Sequence, residues 1–274
     1  MESRLLKFVL RIWVVLVLAF LFVPILAILL YAFDRSNVES WPIHSLTLRW
    51  FSVAWHDPDV RQAFILSVKV GLVATAVAMV LGSAVAYAVR NYRFFGREAI
   101  SFFLVLPLAL PGIVTGIALS SFFAFTGIQL SILTIIIGHA TFCIVVVYNN
   151  VSARLTRVPG SMGEASADLG ARGWQTIRLV TLPMAGTALV SGALLAFALS
   201  FDEVIVTVFT AGAQNTLPLW IFGAIRLGQQ LPEVNAVVSV VILLTLIPVG
   251  LAARIAGSGA VTRAGRAAPP SRPS

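Results

Sequence analysis

The chain has 274 residues, of which 59% are hydrophobic and 11% are charged, and its formal net charge at pH 7 is +8. Because soluble domains carry about 25% charged residues, this composition excludes a water-soluble globular protein. The basic residues lie in short segments between apolar runs, so the positive charge does not indicate a nucleic-acid partner. A single cysteine, Cys143, excludes an intrachain disulfide and a cysteine-based metal site, and no metal site is expected.

Six apolar runs are long enough to cross a hydrocarbon core, which requires about 20 residues. Transmembrane helices are therefore predicted at 8–33, 63–89, 99–125, 128–151, 183–209 and 234–256. The first run is too long for a signal-peptide core of about 7–15 residues, so we expect it to remain as a helix. The prediction is an all-α integral membrane protein with one domain over 1–256 and a disordered tail over 257–274.

The basic residues between these runs predict the orientation of the chain. If the N-terminus is cytoplasmic, the outer segments contain only Arg35, Arg49, Arg61 and Arg226, with Lys69 just inside the second helix. The remaining arginines and lysines then lie in the inner segments. Because cytoplasmic loops carry an excess of Lys and Arg, both termini are predicted to be cytoplasmic, in agreement with an even number of spans.

Small residues and prolines mark features of three helices. The second helix has a predicted packing face, because small residues let helices approach closely in lipid, and it consists of Ala74, Ala78, Gly82 and Ala86. In the third helix Pro107 and Pro111 remove backbone hydrogen-bond donors, which predicts a kink. The kink is either a static feature of the helix or a feature beside the solute pathway. A short outer helix is expected at 217–227, with Thr216 as its cap.

The longest inner loop, 152–182, contains a predicted short helix. Pro159 ends the preceding helix, the residues from Ser161 to Glu164 have the pattern of a capping box, and Gly170 is placed to end the new helix. One face of this helix is apolar and consists of Met162, Ala165 and Leu169. From these residues alone, the segment is either a connector lying on the bilayer or a helix that docks on a partner.

The amino-acid sequence of this loop resembles the EAA motif of ABC importer permeases. That motif consists of E-A-A, then three residues, then G, then nine residues, then I-x-L-P. Here Glu164-Ala165-Ser166 precedes Gly170 and Val180-Thr181-Leu182-Pro183 at the same spacing, and Ser166 and Val180 are the two departures. The resemblance implies a type I ABC importer permease fold and a coupling helix that sits in a groove of a cytoplasmic ATPase subunit. The ATPase-coupling residues that it implies are Glu164, Ala165, Ser166, Asp168, Leu169, Gly170, Leu182 and Pro183.

Residues 200–204, 216–220 and 232–235 are similar to the second permease of spermidine/putrescine-type importers. This resemblance implies a polyamine as solute, although relatives that handle an opine, a phosphonate or another organic ion share much of the pattern. It also implies a multi-pass protein of the plasma (inner) membrane of a prokaryote. The implied partners are a second homologous permease, two ATPase subunits and an extracytoplasmic solute-binding protein.

Three polar residues inside the predicted spans are candidates for the solute pathway, because intramembrane polar groups are costly and rare. Asp202 and Glu203 lie near the outer end of the fifth helix, where an acidic lining would favour a cationic solute. A wetted helix end is the alternative, and Asp202 is preferred of the two. His139 falls near the middle of the fourth helix, where it either bonds to a neighbouring helix or takes part in solute contact or gating.

No enzymatic activity is expected in this polypeptide. The sequence has no GxxxxGK[ST] phosphate loop, no HExxH motif and no GxSxG serine. No cofactor is therefore expected in this chain, and ATP and Mg would be bound by the partner ATPase subunits. A secondary transporter is the main alternative, but such folds usually have inverted repeats and charged residues at the membrane midplane. An intramembrane enzyme is a weaker alternative.

Overall fold

A computed structural model describes residues 4–246, in which the regular structure is helical apart from one isolated bridge between Asp34 and Leu46. The helices are α1 (Arg4–Tyr31), α2 (Arg49–His56), α3 (Pro58–Asn91), α4 (Arg97–Ala109), α5 (Gly112–Thr126), α6 (Ile132–Leu155), α7 (Ser161–Asp168), α8 (Gly173–Thr176), α9 (Leu182–Asp202), α10 (Ile205–Thr210), α11 (Leu217–Leu227) and α12 (Leu231–Leu246). A π-helical segment, Ile177–Thr181, joins α8 to α9.

Within the described range, four helical segments are long and apolar enough to cross a membrane. They are α1, α3, α6 and the continuous stretch Gly173–Asp202, and α4 with α5 passes the same test as a bent pair. The predicted sixth span, 234–256, coincides with α12 up to residue 246, and its remainder lies outside the described residues, as does the predicted tail 257–274. An all-α membrane protein is confirmed, whereas the six spans and the cytoplasmic termini stay predictions.

The described residues divide into two compact units, one formed by 4–57 and 224–246, the other by Pro58–Gly223. The first unit contains α1, α2 and α12. No residue of α1 is buried among the described residues. In the segment predicted to be outside, the Trp50 indole N–H donates to the carbonyl oxygen of Asp34 at 2.7 Å, which attaches α2 to the end of α1.

The core of the second unit is the contact between α3 and α6, where the small-residue face of α3 lies. Ala74, Ala78 and Ala86 are completely buried. Gly82 comes so close to α6 that a Cβ atom there would lie 2.8 Å from the carbonyl oxygen of Ile144. The predicted packing face is therefore confirmed, and small side chains are what allow the two backbones to approach.

The third predicted span is broken, not merely kinked. Helix α4 ends at Ala109 and α5 begins at Gly112, and the two axes differ by 108°. Leu110, the residue before Pro111, has φ −82° and ψ 144°, the extended conformation that a following proline favours. The prolines predicted a kink within 99–125, and the structure instead divides the helix there, because Pro111 both restricts its neighbour and supplies no backbone N–H.

The fifth predicted span, 183–209, is also divided. Helix α9 ends at Asp202, Glu203 is extended with φ −72° and ψ 115°, and α10 begins at Ile205. The short helix predicted at 217–227 is confirmed as α11. Its predicted cap is wrong: the buried Thr216 hydroxyl has no hydrogen-bond partner in the described part of the chain, and the N–H of Leu217 donates instead to Ser67 Oγ at 2.8 Å.

Candidate functional site

The predicted coupling helix is present as α7, and Gly170 terminates it. Gly170 has φ +81°, its N–H donates to Ala167 O at 2.8 Å, and the N–H of Ala171 donates to Ser166 O at 3.1 Å. These two bonds form a Schellman motif, which requires a left-handed residue that glycine adopts without a steric penalty. The predicted capping box is wrong, because α7 follows Gly160 and no side chain caps its first turn.

Helix α7 presents its apolar face outward. Leu169 is 88% exposed and Met162 is 43% exposed, and Glu164, Ala165 and Asp168 are exposed as well. Ser166 is the one buried residue of the helix, and its hydroxyl lies 3.0 Å from the hydroxyl of Thr176. Of the residues expected to couple, Ser166 therefore faces the loop itself and holds α7 against α8, while its neighbours face away.

The chain returns from α7 to the membrane through a π-helical segment. The N–H of Leu182 donates to the carbonyl oxygen of Ile177, five residues earlier, and Pro183 follows at the first turn of α9. Proline has no backbone N–H, so no hydrogen bond runs from this position back to the π-helical segment. Arg154, near the end of α6, donates from Nε to Met184 O at 2.9 Å. The two ends of the coupling loop are therefore held together, and Leu182 and Pro183 belong to the base of α9.

His139 is buried in the second unit, with 1% of its surface exposed. Its Nδ1 lies 2.8 Å from Ser200 Oγ on α9, and its Nε2 lies 2.9 Å from Thr207 Oγ1 on α10. Both ring nitrogens are therefore engaged by helices next to α6. Of the two roles that the sequence left open, this geometry favours the bond between helices over direct contact with a solute.

The acidic pair lies at the break between α9 and α10, and its two members have different surroundings. Glu203 is half-buried, and its Oε1 accepts a hydrogen bond from the N–H of Val206 at 2.9 Å, in the first turn of α10. Asp202 is exposed, and among residues 4–246 no hydrogen bond or ion pair to its carboxylate is seen. At the break, the carboxylate of Glu203 therefore caps α10, whereas the carboxylate of Asp202 is available to bind another group.

Known membrane transport proteins share the sequence pattern of this chain over most of its length. Residues 78–257 match the family model described as "Binding-protein-dependent transport system inner membrane component". The chain belongs to this family. The spermidine/putrescine transport system permease protein PotC of Haemophilus influenzae is 34% identical over 232 residues, covering 84% of this chain and 89% of that protein. The putrescine transport system permease protein PotI of Escherichia coli is 33% identical, covering 81% of this chain and 82% of that protein.

Solved structures place the permease in the same fold. A chain of a bacterial ABC transporter involved in the import of the acidic polysaccharide alginate matches with a TM-score of 0.71 and 17% identity, covering 93% of this chain and 98% of that chain. The MetNI methionine ABC transporter matches with a TM-score of 0.55 and 18% identity, covering 74% of this chain and 98% of that chain. The fold is therefore that of an ABC importer permease, and the relatives are transport subunits.

Sequence reasoning missed the two hydroxyl residues that bind His139. Ser200 and Thr207 are small polar residues in an apolar stretch, and neither looks unusual alone. They are seven residues apart, which places both on one face of a helix after about two turns. Together with a lone histidine in the preceding predicted span, this spacing could have indicated a polar contact between the two spans.

Proposed function

We propose that the permease forms half of the solute pathway of an ATP-driven polyamine importer in the inner membrane of a prokaryote. A second homologous permease would supply the other half, and an extracytoplasmic binding protein would deliver the solute. Two ATPase subunits would bind ATP and Mg and dock on α7, so this chain itself needs no cofactor. The observation that carries the coupling role is the outward apolar face of α7, within a loop that has the EAA spacing.

An outward apolar face on so short a helix favours a protein partner. Met162, Ala165 and Leu169 are exposed, whereas Ser166, the buried residue of α7, is tied to Thr176. A helix held in this way can lay its apolar face into a groove of another protein. Glu164 and Asp168 flank that face and are exposed, so they could make polar contacts at the rim. The coupling contact would then centre on Leu169.

Replacing Leu169 tests the coupling contact. Truncating a hot-spot residue near the centre of an interface costs about 2 kcal/mol or more, and 1.4 kcal/mol corresponds to a factor of about ten in affinity. We therefore expect Leu169→Asp to lower recovery of the ATPase subunit with the tagged permease roughly tenfold or more. The measurement is co-purification from membranes after gentle detergent extraction, normalised to the amount of permease recovered.

The matched control is Phe95→Asp, in the loop between α3 and α4. Phe95 is 105% exposed, so this change also places a carboxylate at an exposed apolar position of a predicted cytoplasmic loop. It should leave ATPase recovery unchanged. Equal losses in both variants, or undiminished recovery with Leu169→Asp, would count against docking through α7. Failure of wild type to recover any ATPase subunit would contradict ATP coupling itself.

The proposal of a polyamine rests on the named relatives and on the acidic pair. PotC and PotI are spermidine/putrescine and putrescine permeases by name. A protonated amine is recognised by a carboxylate that can accept charge-assisted hydrogen bonds. Asp202 is exposed at the break between α9 and α10, whereas Glu203 is engaged by Val206. Asp202 is therefore the residue that we expect to contact the cationic solute.

Neutralising each carboxylate separately tests this assignment. A hydrogen bond to a charged group contributes about 1.5–3 kcal/mol, so Asp202→Asn should raise the KM for putrescine or spermidine uptake roughly tenfold or more. Glu203→Gln is the matched control, because its side-chain carbonyl can still accept from Val206, and its KM should stay near that of wild type. Uptake is measured with labelled putrescine and spermidine in cells containing the complete importer.

Three outcomes would contradict parts of this proposal. If Asp202→Asn leaves the KM unchanged, Asp202 does not bind the solute. If Glu203→Gln raises the KM as much as Asp202→Asn does, the distinction between the carboxylates is wrong. If wild type takes up neither amine, the solute is not a polyamine of this kind, although membership of the permease family stands.

A further inference from the structure

We infer that His139 is a positioning residue, which joins the two sides of the break between α9 and α10 and thereby sets the position of Asp202. The His139 bridge consists of His139, Ser200 and Thr207. This inference rests on the proposed role of Asp202 in binding a cationic solute. It assigns to His139 an indirect part in solute binding, because the ring itself is buried and both its nitrogens are engaged.

The direction of every hydrogen bond in the His139 bridge follows from the single proton of a threonine hydroxyl. Thr207 Oγ1 donates to the carbonyl oxygen of Glu203 at 2.7 Å. It must therefore accept from His139, whose Nε2 carries the proton. In the neutral ring Nδ1 then has no proton and accepts from the hydroxyl of Ser200. The result is a continuous chain of donation from α9, through α6, to the carbonyl group at the break.

The His139 bridge contacts both halves of the divided span. Ser200 lies two residues before the end of α9, and Thr207 lies in α10, with Glu203 and Val204 between the helices. Ser200 is 3% exposed and Thr207 is completely buried. Because a buried polar group that loses its partner is costly, the hydroxyls and the imidazole favour one relative position of the two helix ends. Asp202, the last residue of α9, lies in the segment whose position these hydrogen bonds determine.

A second contact between α6 and α9 provides a comparison that does not cross the break. Cys143 lies one turn after His139, and its Sγ donates to Ala196 O at 3.3 Å. Ala196 lies one turn before Ser200, so this contact joins α6 to α9 alone. Cys143→Ala should therefore leave the break in place. It also removes the only cysteine of the chain, which makes it a background for labelling experiments.

The first experiment measures the position of residue 202 without reference to any solute. In the Cys143→Ala background, Asp202→Cys is labelled with a positively charged methanethiosulfonate reagent in membranes containing the complete importer, and labelling is read on the purified permease. His139→Gln and Thr207→Val each interrupt the His139 bridge and should change the labelling rate roughly threefold or more. Thr207→Ser keeps the hydroxyl and should restore the rate of the parent.

A reference position distinguishes local movement from general unfolding. Thr187 is exposed near the other end of α9, and Thr187→Cys in the same background should be labelled equally fast with and without the His139 bridge. If labelling at residue 202 is the same whether the His139 bridge is intact or interrupted, the inference is overturned. It is also overturned if both positions change together, because the effect would then be on the fold as a whole.

The second experiment connects the His139 bridge to solute binding through the KM for putrescine. His139→Gln and Thr207→Val should raise the KM roughly threefold or more, whereas Thr207→Ser and Cys143→Ala should not. In an Asp202→Asn background the same changes should have little further effect, because the group that they position is absent. Additive losses, or a KM that stays constant while labelling at 202 changes, would overturn the positioning role. If wild type transports neither putrescine nor spermidine, the polyamine proposal fails, and the labelling rates alone decide whether the His139 bridge sets residue 202.

Discussion

Gly82 is a residue whose identity is dictated by the backbone of another helix. A Cβ atom at this position would meet the carbonyl oxygen of Ile144 at 2.8 Å, Val147 Cβ at 3.0 Å and the backbone nitrogen of Tyr148 at 3.1 Å. Two of these three atoms belong to the main chain of α6 and cannot turn aside as a side chain can. Overpacking of this kind typically costs about 1–3 kcal/mol.

We expect Gly82→Ala to destabilise the permease by about 1–3 kcal/mol, because α3 and α6 would have to separate. Gly186→Ala is the matched control, since Gly186 lies in α9 and a Cβ atom added there would have no described neighbour within 4 Å. That change should be neutral or slightly stabilising, because alanine has the higher helix propensity. Thermal unfolding of both variants in detergent checks the prediction, and equal midpoints would contradict it.

At the scale of elements, the structure corrects the predicted third and fifth helices in the same way. Hydropathy continues across both breaks, so an apolar run alone indicates one helix in each case. The first break has a local cause, because Pro111 forces Leu110 into an extended conformation. The second contains no proline. Its ends are instead stabilised by Glu203, which caps α10, and by the His139 bridge from a different helix.

Helix α7 illustrates the opposite case, in which local sequence was sufficient. Its start after Pro159-Gly160, its end before Gly170 and its apolar face were all predicted, and the left-handed Gly170 confirms the termination. The predicted capping box is wrong, and the inward direction of Ser166 was not predicted. The partner of Ser166 is Thr176, a residue of the next helix, and local periodicity does not identify such a contact.

For the whole molecule, the predicted orientation rests on the distribution of Arg and Lys between the spans. The outer segments predicted from this distribution include residues 34–62, and the inner ones include the loop between α3 and α4. The proposed docking of α7 on a cytoplasmic ATPase requires this orientation, because α7 lies on the same predicted side as that loop. The orientation can be tested independently of transport.

In the Cys143→Ala background, Val38→Cys and Phe95→Cys should respond differently to a membrane-impermeant thiol reagent. Val38 is 69% exposed in the predicted outer segment and Phe95 is 105% exposed in the predicted inner loop. We expect labelling of Val38→Cys in intact cells and of Phe95→Cys only after the membrane is permeabilised, since cytoplasmic loops are the basic ones. The reverse pattern would mean that the orientation is inverted and that α7 is outside the cell.

The sequence by itself determined the membrane class, most of the apolar segments, the packing face of α3, the position of α7 and the family. These features depend on composition, on helical periodicity and on local turn chemistry, which are all properties of neighbouring residues. Tertiary structure decided where the fifth span breaks and which groups engage His139. Each of these depends on a contact between segments far apart in the chain, such as His139 with Ser200 and Thr207. Such contacts exist only after the helices have packed, because buried polar groups must then find partners in neighbouring helices.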